Sequence, residues 1–288
     1  MSLLELPAFA TAAPTLREAA LKLRTSESSV TIAASLDEPG IFASALLEAS
    51  LLDAGIPYQR RLRDNPQAAK GPSIVINSTP VSELKSIGTE PLNIHIAPLE
   101  VEALVASGGD SRRGILSPVA IAAALGNSIS PSGPLSRLLM PWILAGNWLS
   151  SGLEHTYDPV YTVIRDYLSN EGHIRVVPLP EVPEVHPDSL PGIDSVALGA
   201  IRDNWGKLDL EGRAQSLSHL LKPLLVVELP STARLEELGW HRIMAAGWER
   251  DLASQLSSFT KLWRDNPSDR RSQASDIIDS LLRTGQMP

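Results

Sequence analysis

The stretch from Val30 to Gly55 restricts the possible folds more than any other part of the sequence. It reads VTIAAS, then LDEPG, then IFASALLEASLLDAG, the pattern of a buried strand, a tight turn and an apolar helix. In an open α/β sheet, the turn after the first strand is a common place for ligands and metal ions. The pattern therefore predicts an α/β fold and makes the turn around Asp37 the first candidate site.

The charge and residue content exclude several classes of protein. The 288 residues carry a formal net charge of −8 and contain no cysteine. An acidic chain is poorly suited to gripping a phosphate backbone on its own. Without cysteine there are no disulfides, thiolate zinc sites or cysteine nucleophiles. The N-terminal residues lack a signal-peptide pattern, and no window holds the roughly 20 apolar residues of a membrane span, so we expect a cytoplasmic protein without membrane contact.

Further strands and helices alternate along the chain after this first strand. Short apolar runs predict buried parallel strands at residues 73–77 and 92–97. An alternating run predicts an edge strand at residues 56–63. Helices are predicted at residues 13–23, 100–107, 116–125, 135–149 and 159–168. Ser117 is the expected N-cap of the third of these helices and Asp158 that of the last. Residues 108–114 are predicted to form a mobile loop, and residues 172–177 a last strand.

A proline-rich segment separates this α/β part from the rest of the chain. Five prolines lie between residues 178 and 191, which indicates an extended, semi-rigid connector. Beyond it the periodicity is helical, with a break expected near Gly239 or Gly247. The predicted organisation is an α/β domain at 1–180, a connector at 181–191 and an all-helical C-terminal region at 192–288.

The turn after the first strand has two interpretations. Asp37 and Glu38 could be an acid pair that binds a metal ion, or Asp37 could cap the following helix, with Pro39 in its first turn. A divalent cation needs several oxygen or nitrogen ligands, which one turn cannot supply. The capping interpretation is therefore favoured.

The other polar candidates are isolated in the sequence. His95, inside a predicted strand, is the one histidine expected to project from the end of the sheet, and a structural role is favoured for it. Arg112 and Arg113, in the predicted loop, could contact a phosphate or an acidic partner, although a solvated loop is the simpler interpretation.

Taken together, the order and spacing of these segments resemble the DHH phosphoesterase superfamily, which includes the RecJ single-strand exonucleases. The resemblance covers about residues 25–185 and predicts a parallel-sheet DHH-like domain flanked by helices. The metal-binding positions of the family fall on degenerate residues here, namely Asp37, Pro39, Asn77, His95 and Asn147. His95-Ile-Ala-Pro98 stands where the family has Asp-His-His-Pro. The resemblance therefore implies a chain with no metal, no cofactor and no catalytic residues.

A degenerate domain of this kind is similar to the archaeal, non-catalytic RecJ-like proteins that join GINS and the MCM helicase. The resemblance implies a scaffold or adaptor in DNA replication, nucleoid-associated, with GINS as partner and MCM reached through the complex. Contact with single-stranded DNA would be weak or indirect. The family's C-terminal substrate-binding domain has no counterpart, because helices are predicted in its place.

Two other functions stay open at this stage. One is an active metal-dependent phosphoesterase or single-strand nuclease whose ligands lie elsewhere. The other is a nucleotide-binding α/β protein unrelated to this superfamily.

Overall fold

A computed structural model describes residues 2–81, 83–84, 91–105, 111–150, 152–155, 157–226, 230–265 and 269–288. Its residues group into two compact units. The first unit comprises Met1–Ser150, Asp158–His173 and Asn266–Pro288, and the second comprises Ser151–Tyr157 and Ile174–Asp265. Asn266–Pro288 thus belongs to the first unit. The predicted division, with boundaries at residues 180 and 191, places this segment in the C-terminal region instead.

The first unit is built on a four-stranded parallel sheet. In chain order the strands are β1 (Val30–Ser35), β2 (Tyr58–Arg63), β3 (Ser73–Ile76) and β4 (Asn93–Ile96). Their spatial order is β2-β1-β3-β4, with every neighbouring pair parallel. Every residue of the two central strands, β1 and β3, is buried, as their continuous apolar runs predict. The predicted α/β class with a parallel sheet is confirmed.

Helices pack against this sheet and on one another. They are α1 (Ala13–Thr25), α2 (Glu38–Asp53), α3 (Pro118–Ile129), α4 (Pro134–Leu139), α5 (Ala145–Trp148), α7 (Pro159–Asn170) and α12 (Arg270–Thr284). Helix α2 packs on β1 and is surrounded by α3, α4 and α12, which explains why it is apolar on all sides. The strand–turn–helix at residues 30–55 is therefore the centre of the first unit.

The predicted helix at 135–149 is interrupted in the structure. A 3₁₀ turn at Met140–Leu144 separates α4 from α5. Pro141 is the physical reason, because proline lacks the N–H that a continuous helix requires. Trp142 lies in this turn and is buried. Its ring stacks on that of Phe42 with a centroid distance of 5.3 Å, and its Nε1 donates a hydrogen bond to the carbonyl of Gly285 at 2.9 Å.

The predicted helix at 100–107 is wrong, and so is the loop placement of Arg112 and Arg113. Strands β5 (Leu99–Val105) and β6 (Ser111–Leu116) form an antiparallel hairpin, and both arginines lie on β6. Residues 106–107 of the predicted helix and 108–110 of the predicted loop lie outside the described residues. Along β5 the residues alternate between buried and exposed, which is the period of a strand with one face on the core.

The second unit is mainly helical. Its helices are α6 (Gly152–His155), α8 (Ser195–Asn204), α9 (Leu210–Leu221), α10 (Thr232–Trp240) and α11 (Leu252–Asp265). The expected break near Gly239 is real, since β8 (Arg242–Met244) follows α10. It pairs antiparallel with β7 (Arg175–Val177), so the predicted last strand belongs to a separate two-stranded sheet. Among the described residues, no helix combines the length and apolar character needed to cross a bilayer.

Candidate functional site

The turn between β1 and α2 is held together by the carboxylate of Asp37. Its Oδ1 accepts hydrogen bonds from the backbone N–H of Gly40 at 2.9 Å and from the Oγ of Ser35 at 2.7 Å. Its Oδ2 accepts one from the Oγ of Ser78, which follows β3. Asp37 is the N-cap of α2 and Pro39 lies in the first turn, so the predicted cap is confirmed.

The backbone passes too close to this turn for any side chain at position 40. A Cβ added to Gly40 would lie 2.1 Å from the carbonyl oxygen of Ser35 and 2.9 Å from its Oγ. The glycine therefore lets the end of β1 and the start of α2 approach each other. At the neighbouring position, the ring of Pro39 offers neither a carboxylate nor an N–H to a ligand.

Asn77 directly follows β3, and His95 lies on β4. The backbone N–H of Asn77 donates to the carbonyl of Ile96 at 2.9 Å and extends the ladder between β3 and β4. His95 pairs in register with Val75, which is level with Ala33 in β1. Ala33 lies two residues before the end of β1, and Asp37 lies two residues beyond that end.

His95 is the third of the four residues of β4, the outermost strand on that side of the sheet. The expected projection of its side chain from the end of the sheet stays a prediction. The side chain is half-buried, and burial lowers the pKa of its imidazole. Burial therefore favours the neutral form of the ring. It is separated along the strands from the turn that holds Asp37.

Asn147 is part of a different, buried group. Its Nδ2 donates to the Oδ2 of Asp158 at 2.9 Å and to the carbonyl of Ile115 at 2.8 Å. Asp158 in turn caps α7 through the backbone N–H groups of Val160 at 2.9 Å and Tyr161 at 3.2 Å. The asparagine thus joins β6, α5 and the start of α7.

Sequence reasoning missed Ser78 and the partner of Asp158. Asp158 was identifiable as a cap because it precedes a proline and a helical pattern, but its partner Asn147 comes from another element. Ser78 follows Asn77, one of the motif positions, and its contact with Asp37 depends on β3 lying beside β1. No short-range signal in the sequence indicates either contact.

These residues do not fit the metal ions that an active DHH phosphoesterase would need. Of the five motif positions only Asp37 carries a carboxylate, and both of its oxygens accept hydrogen bonds from the chain. Asparagine keeps the shape of aspartate but supplies no charge to a divalent cation. The described part of the chain contains no group of three or more histidine, aspartate or glutamate residues placed to hold a metal ion.

Arg112 and Arg113 are both exposed residues of β6. Arg113 faces two acids across the strands, with its guanidinium 3.7 Å from Glu100 and 3.9 Å from Glu102. All three side chains are more than half exposed, so these pairs are weak. They nevertheless offset the positive charge that the weak nucleic-acid contact predicted here would need, and that contact stays a prediction.

Comparison with known proteins gives similarities to solved structures only. No protein-family model and no curated protein matches this chain. Among solved structures, the exonuclease RecJ bound to manganese is similar over 98% of this chain and 67% of the RecJ chain. The TM-score is 0.38 and the sequence identity is 12%. At that level neither a family nor an activity is shown, and the function has to be argued from this chain's own residues.

Proposed function

We propose that this chain is a non-catalytic, RecJ-like DNA replication factor that acts as a scaffold in an archaeal replicative helicase complex. GINS subunits would be its direct partners and the MCM helicase would be reached through the complex. The observation that carries the proposal is the state of Asp37, whose two carboxylate oxygens accept hydrogen bonds from Ser35, Ser78 and Gly40.

The other motif positions support the same conclusion. Asn147 serves the buried contact with Asp158, and His95 lies within β4. Asp37 and Asn147 thus have structural contacts here, and His95 lies away from the turn. A rigid α/β body of this kind would act by occupying a place in an assembly and presenting a surface to its partners.

Co-purification tests the proposed partner directly. The full chain, tagged and produced together with the GINS subunits of the same organism, is expected to retain GINS through size-exclusion chromatography. The matched control is the same preparation with an unrelated α/β protein of similar size and charge. If GINS separates from the chain at micromolar concentrations, the replisome role is wrong.

An activity assay tests the competing function. Pure protein is incubated with Mn²⁺ and labelled single-stranded DNA or a dinucleotide, and we expect no turnover above the blank. Turnover that disappears in Asp37→Ala but persists in Asp209→Ala would identify an active phosphoesterase. Asp209 is the control because it caps α9 through the N–H of Gly212 and lies in the second unit.

A further inference from the structure

Strand β2 leaves one edge of the parallel sheet open. Within the part of the chain that the structure describes, it is the outermost strand and its one partner is β1. The N–H of Val30 donates to the carbonyl of Pro57 at 2.9 Å, and that of Leu36 donates to the carbonyl of Arg63 at 3.1 Å. The backbone groups at the two ends of β2 therefore point towards β1.

The alternation of backbone directions along a strand then determines which groups point outwards. Between Pro57 and Arg63, the residues whose N–H and C=O point away from β1 are Tyr58, Arg60 and Leu62. Within the described residues, no hydrogen bond reaches the backbone groups of these three from another strand or side chain. A row of unpaired donors and acceptors of this kind is a template for one more strand.

Two unpaired cations stand beside this row. The exposed side chains of β2 are Gln59, Arg61 and Arg63, which share one face of the sheet. Neither Arg61 nor Arg63 forms an ion pair within the described residues, and Arg61 has only a 3.4 Å contact with the side chain of Gln59. On the opposite face Arg60 is neutralised by Glu48 and Asp279, at 2.6 and 2.7 Å.

The two ends of the sheet differ in charge and length. Strand β4, at the other end, has four residues and no acidic or basic side chain apart from the half-buried His95, whereas β2 has six residues and three arginines. Arginines beside an open edge repel a second copy of the same edge, which explains how this edge could stay unpaired in solution. The same charges attract a strand that carries carboxylates.

We infer that the open edge of β2 binds an extended, acidic segment of a partner protein as a fifth strand of the sheet. The backbone of the segment would pair with Tyr58, Arg60 and Leu62. Carboxylates at every second position would lie beside Arg61 and Arg63, because residues two apart on a strand share a face. The inference rests on the proposed scaffold function only in requiring a protein partner, and it applies to any partner with such a segment.

Peptide binding to the full chain tests the inference. The probe is a fluorescent eight-residue peptide that alternates glutamate with threonine, and a peptide with lysine in place of glutamate is the charge control. The double variant Arg61→Glu, Arg63→Glu is expected to weaken binding about tenfold or more, since two attractions become repulsions. The double variant Arg112→Glu, Arg113→Glu changes the net charge equally on β6 and is expected to change binding less than about twofold.

A second pair of probes separates strand pairing from charge alone. Methylation of alternate peptide nitrogens on one edge should abolish binding, and methylation of the other alternate set should leave it unchanged, because only one edge can pair with β2. If both arginine double variants weaken binding equally, or both methylated peptides still bind, the contact is unspecific and the inference is wrong. Should the glutamate variant misfold, Arg61→Gln with Arg63→Gln supplies the same test with less charge change.

Other occupants give different results. A single-stranded oligonucleotide that binds more tightly than the peptide, and depends on Arg61 and Arg63, would assign this edge to nucleic acid and overturn the inference. Self-association that is lost in the same variant would assign it to a second copy. Peptide binding without GINS co-purification would support the strand-binding edge and contradict the replisome role. GINS co-purification without peptide binding would support the replisome role and contradict the strand-binding edge.

Discussion

The hydroxyl of Ser78 donates a hydrogen bond to the carboxylate of Asp37, and this contact links the carboxyl ends of β3 and β1. The same carboxylate accepts from Ser35 and from the N–H of Gly40. A carboxylate that could have faced a ligand thus joins the carboxyl ends of β1 and β3 where they meet α2. The turn stabilises the first unit through these contacts.

Replacing Asp37 should therefore cost more than the loss of an ordinary helix cap. Asp37→Ala removes the N-cap bond, worth about 0.5–2 kcal/mol, and leaves the hydroxyl of the buried Ser35 without its acceptor. We expect a total loss of about 2–4 kcal/mol in the free energy of unfolding, measured by urea denaturation.

Asp209→Ala is the matched control for that change. Asp209 is exposed and its side chain accepts from the N–H of Gly212 at 2.8 Å. Its loss should cost about 1 kcal/mol. Equal losses for the two variants would mean that the contacts with Ser35 and Ser78 contribute nothing.

Gly40→Ala should be strongly destabilising for a different reason. The new Cβ would lie 2.1 Å from a backbone oxygen, so β1 and α2 would have to separate. Gly199→Ala is the control, because a Cβ there meets nothing within 4 Å and alanine favours the helix α8 by about 1 kcal/mol. We expect the melting temperature to fall for the first variant and to stay or rise for the second.

Breaking the buried ion pair between Glu48 and Arg60 should cost more free energy of unfolding than breaking the solvated pair between Arg60 and Asp279. The side chain of Glu48 is fully buried and that of Arg60 is 17% exposed, whereas Asp279, the second acid on Arg60, is 60% exposed. Arg60→Met would leave the carboxylate of Glu48 buried without its cation, at a cost of about 3–5 kcal/mol. Asp279→Asn removes a solvated pair and should cost less than about 1 kcal/mol. Similar costs in urea denaturation would contradict this difference.

Strands, helices and caps could be predicted from the sequence where the local signals agree with the fold. The buried strand Val30–Ser35, the cap at Asp37 and the proline in the first turn of α2 all follow from neighbours within a few residues. The same holds for Ser117, which caps α3 through the N–H of Ala120. Strong short-range chemistry of this kind needs no knowledge of the tertiary structure.

The strand at Leu99–Val105 was misread because composition and periodicity disagree there. Its leucine, glutamate and alanine residues favour a helix. Their order, however, places Leu99, Val101 and Ala103 on the core and Glu100, Glu102 and Leu104 in solvent, which is the period of a strand. Pairing with β6 decided between the two, and that contact is not local.

The return of α12 to the first unit could not be predicted from local patterns. Its contact with β2 runs through Arg60 and Asp279, which are 219 residues apart in the chain. Such a pair has no periodic signal, and either charge alone is consistent with a solvated surface. The same argument applies to Asn147 and Asp158, where the cap was visible and its buried partner was not.

His95 should give part of the stability a defined dependence on pH. Burial lowers its pKa, so between that value and about 6.5 the unfolded chain binds more protons than the folded one. Its contribution is therefore complete above about pH 6.5 and is lost as the pH falls through the lower, folded pKa. His95→Gln should reduce the loss of unfolding free energy between about pH 7 and 5, and NMR titration of the imidazole should give a pKa below 6.5. A value at or above 6.5 would refute this.

Asn147→Asp should show whether asparagine at this position is required by the present fold. The introduced carboxylate would lie about 3 Å from the carboxylate of Asp158, in a site that is 3% exposed, and would lose the donor to the carbonyl of Ile115. Repulsion and burial raise the folded pKa of the pair, so the variant should be close to the wild type in stability near pH 4. It should then lose about 2–4 kcal/mol as the pH rises towards 7.

Asn77→Asp is the matched change at a half-buried position and should show little dependence on pH. If Mn²⁺ restored the stability of Asn147→Asp at pH 7, the site would still be able to hold a metal ion, and the proposed loss of the metal centre would be wrong. If Mn²⁺ has no effect, the asparagine has become part of the contact that joins α5 to α7, and a return to aspartate conflicts with the present packing.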